Sequence, residues 1–263
     1  MRLHRQTILI TGGSGGIGFE LARQLAPNNT VIITGRSVAR LAAARDKVPA
    51  LHVVQSDAAD PQAIDALCAD VTARFPALSV LVNNAGIMRV LNLRAPNEPA
   101  DIVREIQTNL VAPTQLVQRL LPHLETRPEA AIVNVTSGLG YVPMAACPIY
   151  SATKAGLHAY TQALRVQLRG TRVTVFELAP PGTKTDLDKD FPQGIADPRM
   201  YMDVGKLAKA ALRGIARGTP EIRPGLSRVL HTLRRIAPGL TVTSKAAEAV
   251  VASIGANGRL LPA

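Results

Sequence analysis

The sequence has 263 residues, of which 47% are hydrophobic and 19% are charged, and its formal net charge is +11. This composition excludes a disordered or fibrous protein and suits one sizeable α/β domain. The two cysteines, Cys68 and Cys147, lie too far apart in sequence for a C-x-x-C site and indicate no disulfide framework, so we expect a reducing, cytoplasmic location.

Short β-branched runs alternate with longer stretches of helical periodicity. The runs lack strict alternation, as expected of strands buried on both faces, and are, in chain order, TILIT, TVIIT, LHVVQ, LSVLVN, AAIVNVT and RVTVFEL. The periodicity predicts helices over 16–26, 37–48, 60–75, 98–124 with a break near Asn109, 150–169 and 201–218. Prolines and turn residues predict a loop over 183–200. This alternation implies right-handed crossovers and a parallel sheet with helices on both sides.

The first strand is followed by a glycine-rich turn and a helix, in the sequence TILITGGSGGIGFELARQL. Gly13, Gly15 and Gly18 fit G-x-G-x-x-G, and Gly12, Gly16 and Gly18 fit the wider pattern T-G-x-x-x-G-x-G. Glycines let the backbone approach a diphosphate, and the helix N-terminus supplies N–H donors and partial positive charge. The motif therefore predicts a dinucleotide site on a doubly wound parallel sheet of the Rossmann type.

The end of the second strand predicts which nucleotide is bound. NAD sites place a carboxylate there for the ribose hydroxyls, whereas this strand ends VIITGRS, with Gly35 at that position and Arg36 next. A guanidinium can bind a 2′-phosphate that a carboxylate would repel. Arg36 favours NADP(H), although an ordinary surface arginine stays open as the alternative.

Tyr150 and Lys154, in YSATK, are separated by one helical turn. Side chains at i and i+4 lie on the same helix face, and a nearby cation favours ionisation of a phenol. Such a pair can transfer a proton to or from an alcohol or carbonyl oxygen near neutral pH. On this spacing alone, an exposed pair without a chemical role stays open.

Several motifs together resemble the short-chain dehydrogenase/reductase family over residues 7 to 190. They are TGGSGGIG, NNAG at 83–86, Asn109 in IQTNLVAP, Ser137 in VNVTSGLG, and YSATK, with Ser137 preceding Tyr150 by 13 residues. More narrowly, the segments VNVTSG, LPHL and ELAPPGTKTDL resemble those of a bacterial branch of the family associated with D-alanine esterification of teichoic acids. The resemblance implies hydride transfer between NADP(H) and a carbonyl or secondary alcohol.

The resemblance also implies the residue roles. Tyr150 would be the general acid–base, Lys154 would lower its pKa and hold the nicotinamide ribose, Ser137 would hydrogen-bond the substrate oxygen, and Asn109 would anchor a water linked to Lys154. Asp57 would meet the adenine amino group. The implied cofactor contacts are Gly12, Ser14, Gly16, Ile17, Gly18, Arg36, Asp57, Ala58, Asn84, Ala85, Gly86, Tyr150, Lys154, Thr183 and Thr185. The chemistry needs no metal, and His158 reads as a packing residue.

Two features depart from the family pattern. In APPGTKT, Pro180 aligns with the usual proline and Pro181 replaces the usual glycine, which removes a backbone donor and fixes φ where the nicotinamide carboxamide would lie. Thr183 and Thr185 would then contact the carboxamide. The usual final strand of the family, with its glycine-rich ending, is also missing from the sequence, and only TPEIRPG at 219–225 could form a short substitute for it.

The C-terminal part carries most of the charge, a net of +8 from residue 205 onward. We predict a catalytic Rossmann domain over 1–223 and a basic, partly helical extension over 224–263. In GLSRVLHTLRRIAPGL an apolar stripe includes Leu226, Val229, Leu230, Leu233 and Ile236 or Ala237, flanked by arginines. The stripe predicts packing on the domain or a second subunit, or association with an anionic membrane surface.

The expected partners are a small carbonyl or alcohol substrate and further copies of the chain, in a homodimer or homotetramer. Nucleic acid is not expected. Two functions of other classes stay open: an NADPH-binding regulator without turnover, and a protein with a vestigial fold whose basic tail binds nucleic acid or a membrane.

Overall fold

A computed structural model describes residues 1–188 and 201–237. Within these ranges, seven parallel strands form one sheet in the order β3-β2-β1-β4-β5-β6-β7. The strands are β1 (Thr7–Ile10), β2 (Thr30–Gly35), β3 (Leu51–Gln55), β4 (Leu78–Asn83), β5 (Ala130–Val135), β6 (Val173–Leu178) and β7 (Glu221–Ile222). The strand order reverses between β1 and β4, which opens a crevice at their carboxyl ends, as in a doubly wound Rossmann fold. The predicted fold class is confirmed.

Helices connect the strands close to where the periodicity predicts them. They are α1 (Gly16–Leu25), α2 (Val38–Lys47), α3 (Pro61–Arg74), α4 (Pro99–Ile106), α5 (Ala112–Glu125), α6 (Pro148–Gln167), α7 (Val204–Ala216) and α8 (Leu226–Ile236). α6 begins two residues earlier than predicted because a proline is well suited to the first helical position. α7 begins three residues later than predicted because the Asp203 side chain accepts a hydrogen bond from the backbone N–H of Lys206 and caps the helix.

Alternate residues of each central strand bury against opposite helical layers. Ile8 and Ile10 pack with residues of α1, α2 and α7, whereas Leu9 between them packs with residues of α3, α5 and α6. All three are fully buried. Because both faces are covered, the strands are apolar throughout, which explains the missing polar alternation in their sequences.

The sequence predicts that the usual final strand of the family is missing after β6, but the structure has a short strand there. Glu221 and Ile222 pair in parallel with Glu177 and Leu178, so the short substitute does form β7. Of the predicted loop over 183–200, residues 189–200 lie outside the described residues, as do 238–263 of the extension. In the two described ranges, every helix is too short or too polar to cross a bilayer.

Candidate active site

A cleft of about 640 Å³ opens at the carboxyl ends of the central strands, where the strand order reverses. It contains Ser137, Tyr150 and Lys154 together with the glycine turn after β1. The predicted cofactor contacts that line it are Gly12, Ser14, Gly16, Ile17, Arg36, Asp57, Ala58, Asn84, Ala85, Gly86, Tyr150, Lys154, Thr183 and Thr185. The structure therefore brings together nearly all of the residues that the sequence singled out.

Gly18 and Asn109 are the predicted site residues that do not line the cleft. A Cβ on Gly18 would lie 2.4 Å from Asn84 Nδ2 and 2.5 Å from the Gly12 carbonyl oxygen. Glycine at this position lets α1 approach the turn closely, so its role is packing beneath the cleft. Gly12, by contrast, lines the cleft and has φ of +64°, a left-handed conformation that favours glycine.

Asn84 ties the glycine turn to the end of β4. Its Nδ2 donates to the carbonyl oxygens of Thr11 and Gly12 at 2.9 and 3.2 Å. The Thr11 hydroxyl oxygen in turn accepts hydrogen bonds from the backbone N–H groups of Asn84 and Ala85. These contacts hold the two backbone segments on either side of the crevice at a fixed separation.

Two arginines lie where the second strand ends. Arg36 is exposed and lines the cleft beside Gly35, and its carbonyl oxygen accepts a hydrogen bond from Gln55 Nε2. Arg40, in the first turns of α2, also lines the cleft; a Cβ on Gly15 would lie 2.7 Å from Arg40 Nη2. Sequence reasoning missed Arg40, although its position four residues after Arg36 was a usable signal.

Arg40 also bridges the cleft to the segment after β6. Its Nη2 donates to Asp186 Oδ2 at 3.0 Å, and the two side chains are 53% and 71% exposed. These residues are 146 positions apart in sequence. The ion pair therefore joins opposite walls at the mouth of the site.

Asp57 lines the cleft after β3, but both of its oxygens have protein partners. Oδ1 accepts a hydrogen bond from the Ala59 backbone N–H at 2.9 Å, and Oδ2 accepts one from Arg104 at 2.6 Å. Burial alone would raise the pKa of Asp57, but these two bonds and the nearby Arg36 guanidinium outweigh burial and hold the pKa below its usual value. Asp57 is therefore an anion at neutral pH and can accept a further hydrogen bond.

Asn109 lies in a π-helical segment, Gln107–Val111, between α4 and α5. Its Oδ1 accepts from the Ile87 backbone N–H at 2.9 Å, and its Nδ2 donates to the Ile87 carbonyl oxygen at 2.8 Å. The same Oδ1 and the Lys154 Nζ both lie within 3.6 Å of the position that a Cβ on Gly86 would occupy. The break predicted in this helix is thus the π-bulge that carries Asn109 toward Lys154, a common device at functional sites.

Ser137, Tyr150 and Lys154 are all nearly buried, with 9%, 6% and 3% of their surfaces exposed. Ser137 follows β5, and its Oγ accepts from the Leu139 backbone N–H at 3.1 Å, which leaves its own proton for a partner in the cleft. Lys154 Nζ donates to the Val135 carbonyl oxygen at 2.8 Å and lies 5.6 Å from the centre of the Tyr150 ring. The exposed-pair alternative for Tyr150 and Lys154 is therefore wrong.

The expectation that Lys154 lowers the Tyr150 pKa is not what this structure shows. Burial raises the pKa of Tyr150, and the nearby Ser137 side chain opposes this only in part. Burial also lowers the pKa of Lys154 to about 8. Burial penalises the charged form of each group, and the ammonium is directed to the Val135 carbonyl instead of the phenol.

A buried carboxyl group, Glu105 on α4, also acts on Tyr150. It has no exposed surface, and burial raises the pKa of its carboxyl group to about 7, although the Arg89 backbone N–H and guanidinium oppose this. Its charge is one of the smaller causes that raise the Tyr150 pKa. Sequence patterns gave no signal for Glu105, because its orientation depends on how α4 packs against α6.

The carbonyl oxygens of the two prolines after β6 both accept hydrogen bonds. The Pro180 carbonyl oxygen accepts from the Gly138 backbone N–H, and the Pro181 carbonyl oxygen accepts from the Thr183 hydroxyl at 2.8 Å. Thr185 lies near the glycine turn, with its Cγ2 3.3 Å from the position of a Cβ on Gly16. Both threonines therefore line the cleft, Thr185 beside the glycine turn.

The first helix of the extension packs against the site. On α8, Leu230 joins a buried cluster with Tyr141, Val142 and Ala179, and Arg234 Nη1 donates to the Tyr141 carbonyl oxygen at 2.7 Å. The opposite side of the predicted stripe is exposed: Val229, Leu233 and Ile236 are 49%, 43% and 75% accessible. The stripe is thus divided, with one side packed on the domain and the other facing outward.

Clustered metal ligands are absent from residues 1–188 and 201–237. His158, predicted to be a packing residue, is on α6, where its Nδ1 lies 2.8 and 2.9 Å from the two carboxylate oxygens of Glu177.

Comparison with known proteins places the chain among oxidoreductases. It is 47% identical over 191 residues to the uncharacterized oxidoreductase DltE of Bacillus subtilis (strain 168), which covers 72% of this chain and 76% of that protein. The solved structure of a short-chain dehydrogenase from Sphingobium yanoikuyae in complex with NADPH has a TM-score of 0.78 and 28% identity, covering 89% of this chain and 94% of that one.

A second solved structure, a short-chain dehydrogenase/reductase from Burkholderia phymatum in complex with NAD, shares the fold with a TM-score of 0.80. It is 20% identical and covers 92% of this chain and 97% of that one. The similarity to DltE agrees with the branch that the sequence motifs indicated. A family model described as short chain dehydrogenase matches residues 6–196, and the chain therefore belongs to the short-chain dehydrogenase/reductase family.

Proposed function

We propose that the protein is an NADP(H)-dependent oxidoreductase that interconverts a carbonyl group and a secondary alcohol, with Tyr150 as general acid–base. The observation that carries this proposal is that Ser137, Tyr150 and Lys154, all nearly buried, line the same cleft as the glycine turn. A reacting oxygen beside both hydroxyls would accept two hydrogen bonds at once. The nicotinamide would supply or accept the hydride.

In the reductive direction Tyr150 would donate its proton to the substrate oxygen. Because burial raises its pKa, the phenol is protonated at neutral pH and ready to act as an acid. Ser137 would stabilise negative charge as it develops on the same oxygen. Lys154, whose pKa burial lowers to about 8, would hold the ribose.

Preference for NADP(H) is supported by the charges around the end of β2. Arg36 and Arg40 both line the cleft there, and Gly35 stands where NAD sites place a carboxylate. Two guanidinium groups can bind a 2′-phosphate with charge-assisted hydrogen bonds. The S. yanoikuyae dehydrogenase in complex with NADPH is in keeping with this assignment.

Tyr150→Phe tests the proposal, because it removes the proton donor and keeps the ring. Across a panel of carbonyls and alcohols, we expect wild-type protein to oxidise NADPH or reduce NADP, and the variant to turn over at least ~100-fold more slowly with NADPH affinity nearly unchanged. Tyr160→Phe, a partly buried tyrosine on the same helix that packs on the core, is the matched control and should keep full activity.

Equal activity in wild type and Tyr150→Phe would refute the role of Tyr150. Tight NADPH binding by wild type without turnover on any substrate of the panel would instead favour the regulatory alternative.

A further inference from the structure

The fully buried carboxylate of Glu177, on β6, is a polar group that the proposed reaction does not use. Its Oε1 accepts hydrogen bonds from the Thr136 hydroxyl at 2.7 Å and the Tyr141 hydroxyl at 3.1 Å. His158 Nδ1 lies 2.8 Å from Oε2 and 2.9 Å from Oε1. A buried carboxylate is costly unless it is fully hydrogen-bonded, and these three donors satisfy it.

The three donors come from two different parts of the site. Thr136 immediately precedes Ser137, and Tyr141 immediately follows the short 3-10 turn Gly138–Gly140 that Ser137 begins. His158 lies on α6, one helical turn after Lys154 and two after Tyr150. Glu177 therefore joins both ends of the turn that carries Ser137 to the helix that carries Tyr150 and Lys154.

The surroundings of this carboxylate hold it in one place. The Tyr141 ring packs edge-on against His158 and His231, with ring centres 5.0 Å apart in both cases. Arg223 Nε donates to the Tyr141 hydroxyl at 3.3 Å, which leaves the tyrosine proton for Glu177. Because Tyr141 and His158 are each held by a second contact, the carboxylate has little freedom to turn away from the Ser137 segment.

We propose that Glu177, through Thr136, Tyr141 and His158, is the positioning residue that sets Ser137 against Tyr150. This inference rests on the proposed function, in which both hydroxyls bind the reacting oxygen. Without Glu177 as a common acceptor, the 3-10 turn would be held by backbone contacts and by α8. The hydroxyls of Ser137 and Tyr150 would then lose their fixed separation, and turnover would fall more than binding.

Thr136→Val and Tyr141→Phe test the proposal, since each removes a single hydroxyl that donates to Glu177. Thr161→Val is the matched control. The Thr161 hydroxyl is also fully buried and links α6 to β5, accepting from Asn134 Nδ2 at 2.9 Å, but it does not contact the Ser137 turn. It therefore reports the general cost of losing a buried hydroxyl between these elements.

Amide hydrogen exchange provides a readout that does not depend on turnover. We expect the 138–141 segment, which includes the Leu139 N–H bonded to Ser137 Oγ, to exchange ~10-fold or more faster in Thr136→Val and Tyr141→Phe than in wild type. The Thr161→Val protein should keep the wild-type rate in this segment. Equal exchange of this segment in all four proteins would overturn the proposal, whether or not the wild type shows turnover.

Kinetics then separate positioning from a general structural role. A 1 Å displacement can cost ~100-fold in rate, so for partial loosening we expect kcat to fall ~10-fold in both test variants, with KM and NADPH affinity within ~2-fold of wild type.

The Thr161→Val protein should keep the wild-type kcat and KM. If its kcat falls as far as that of the test variants, Glu177 is a structural residue only and the proposal is wrong. A wild type that turns over no carbonyl or alcohol would defeat the proposed function, and the exchange result would still decide whether Glu177 holds the Ser137 turn. Should Thr136→Val fail to fold, Tyr141→Phe, which removes only a ring hydroxyl, gives the same decision.

Discussion

Replacing Asp186 with asparagine should strengthen NADPH binding, although it removes an ion pair. Asp186 holds Arg40 at 3.0 Å across the mouth of the cleft, directly above the glycine turn. In the proposed complex, the 2′-phosphate would compete with Asp186 for the Arg40 guanidinium and would be repelled by the Asp186 carboxylate. Asp186→Asn keeps the shape of the side chain and removes both penalties.

The exposure of the pair sets the size of the effect. The side chains of Arg40 and Asp186 are 53% and 71% exposed, and ion pairs this open to solvent contribute roughly 0.2–1 kcal/mol. NADPH binding has to break this ion pair and loses that amount of binding free energy. Removing the pair should therefore lower the Kd of NADPH by ~1.4- to 5-fold. NADH has no 2′-phosphate, and its Kd should change by less than that of NADPH.

Fluorescence titration of NADPH and NADH at two salt concentrations is the assay. Added salt should reduce the gain, because exposed charges are screened. Asp70→Asn is the control: Asp70 pairs with Arg74 on the surface of α3, with side chains 36% and 52% exposed, and does not line the cleft. If Asp186→Asn weakens NADPH, or shifts NADPH and NADH equally, Arg40 does not bind the phosphate and the reasoning fails.

Two further predictions concern charges at the site. Arg36→Asp should weaken NADPH ~10- to 150-fold and NADH much less, since it removes a charge-assisted contact of roughly 1.5–3 kcal/mol; a variant that still prefers NADPH would place the discrimination at another residue. Burial lowers the Lys154 pKa from 10.5 to about 8, so between these pH values the unfolded chain holds a proton that the folded protein has released. The free energy of unfolding of the wild type, relative to that of Lys154→Met, should therefore rise with pH across that window by up to about 3 kcal/mol. Urea denaturation of both proteins measures this difference, and a difference that does not change with pH would contradict the burial argument.

The elements and the centre of the site could be predicted because each depends on residues close together in sequence. The apolar run TILIT followed by glycines indicates a strand, a turn and a helix in one segment, and Tyr150 and Lys154 share one helix. Ser137 was found through the motif resemblance, at a fixed distance from Tyr150. Local periodicity and motif spacing were sufficient for these features.

The parts that could not be predicted join residues that are distant in sequence. Arg40 and Asp186 meet across 146 positions, and the partners of Glu177 come from the two ends of the turn after β5 and from α6. Whether such side chains meet depends on strand register and helix rotation, which sequence patterns do not specify. The division of the α8 stripe has the same origin, because periodicity shows which residues share a side and not which of them the domain covers.

The two sides of α8 lead to a prediction that separates its two possible roles. Leu230 faces the domain and lies 3.2 Å from the position of a Cβ on Gly138, whereas Leu233, three residues on, is 43% exposed. We expect Leu230→Ala to lower the free energy of unfolding by ~1–3 kcal/mol, since it empties a site packed against Tyr141 and Val142, and Leu233→Ala to change it by less than ~0.5 kcal/mol. Equal effects of the two substitutions in urea denaturation would contradict the observed packing.

The outward side of α8 predicts association with an anionic bilayer. Val229, Leu233 and Ile236 form an exposed apolar row, and the helix carries Arg228, Arg234 and Arg235 without an acidic residue. A row of three aliphatic side chains without an aromatic anchor gives modest affinity, so binding should need both the apolar contact and the arginines. We expect full-length protein to sediment with anionic but not neutral liposomes, and added salt or Leu233→Glu to abolish this while NADPH binding and stability are retained. Leu230→Ala, measured where the variant is folded, should still sediment. If wild type and Leu233→Glu behave alike on anionic liposomes, the outward row has another use and the membrane hypothesis is wrong.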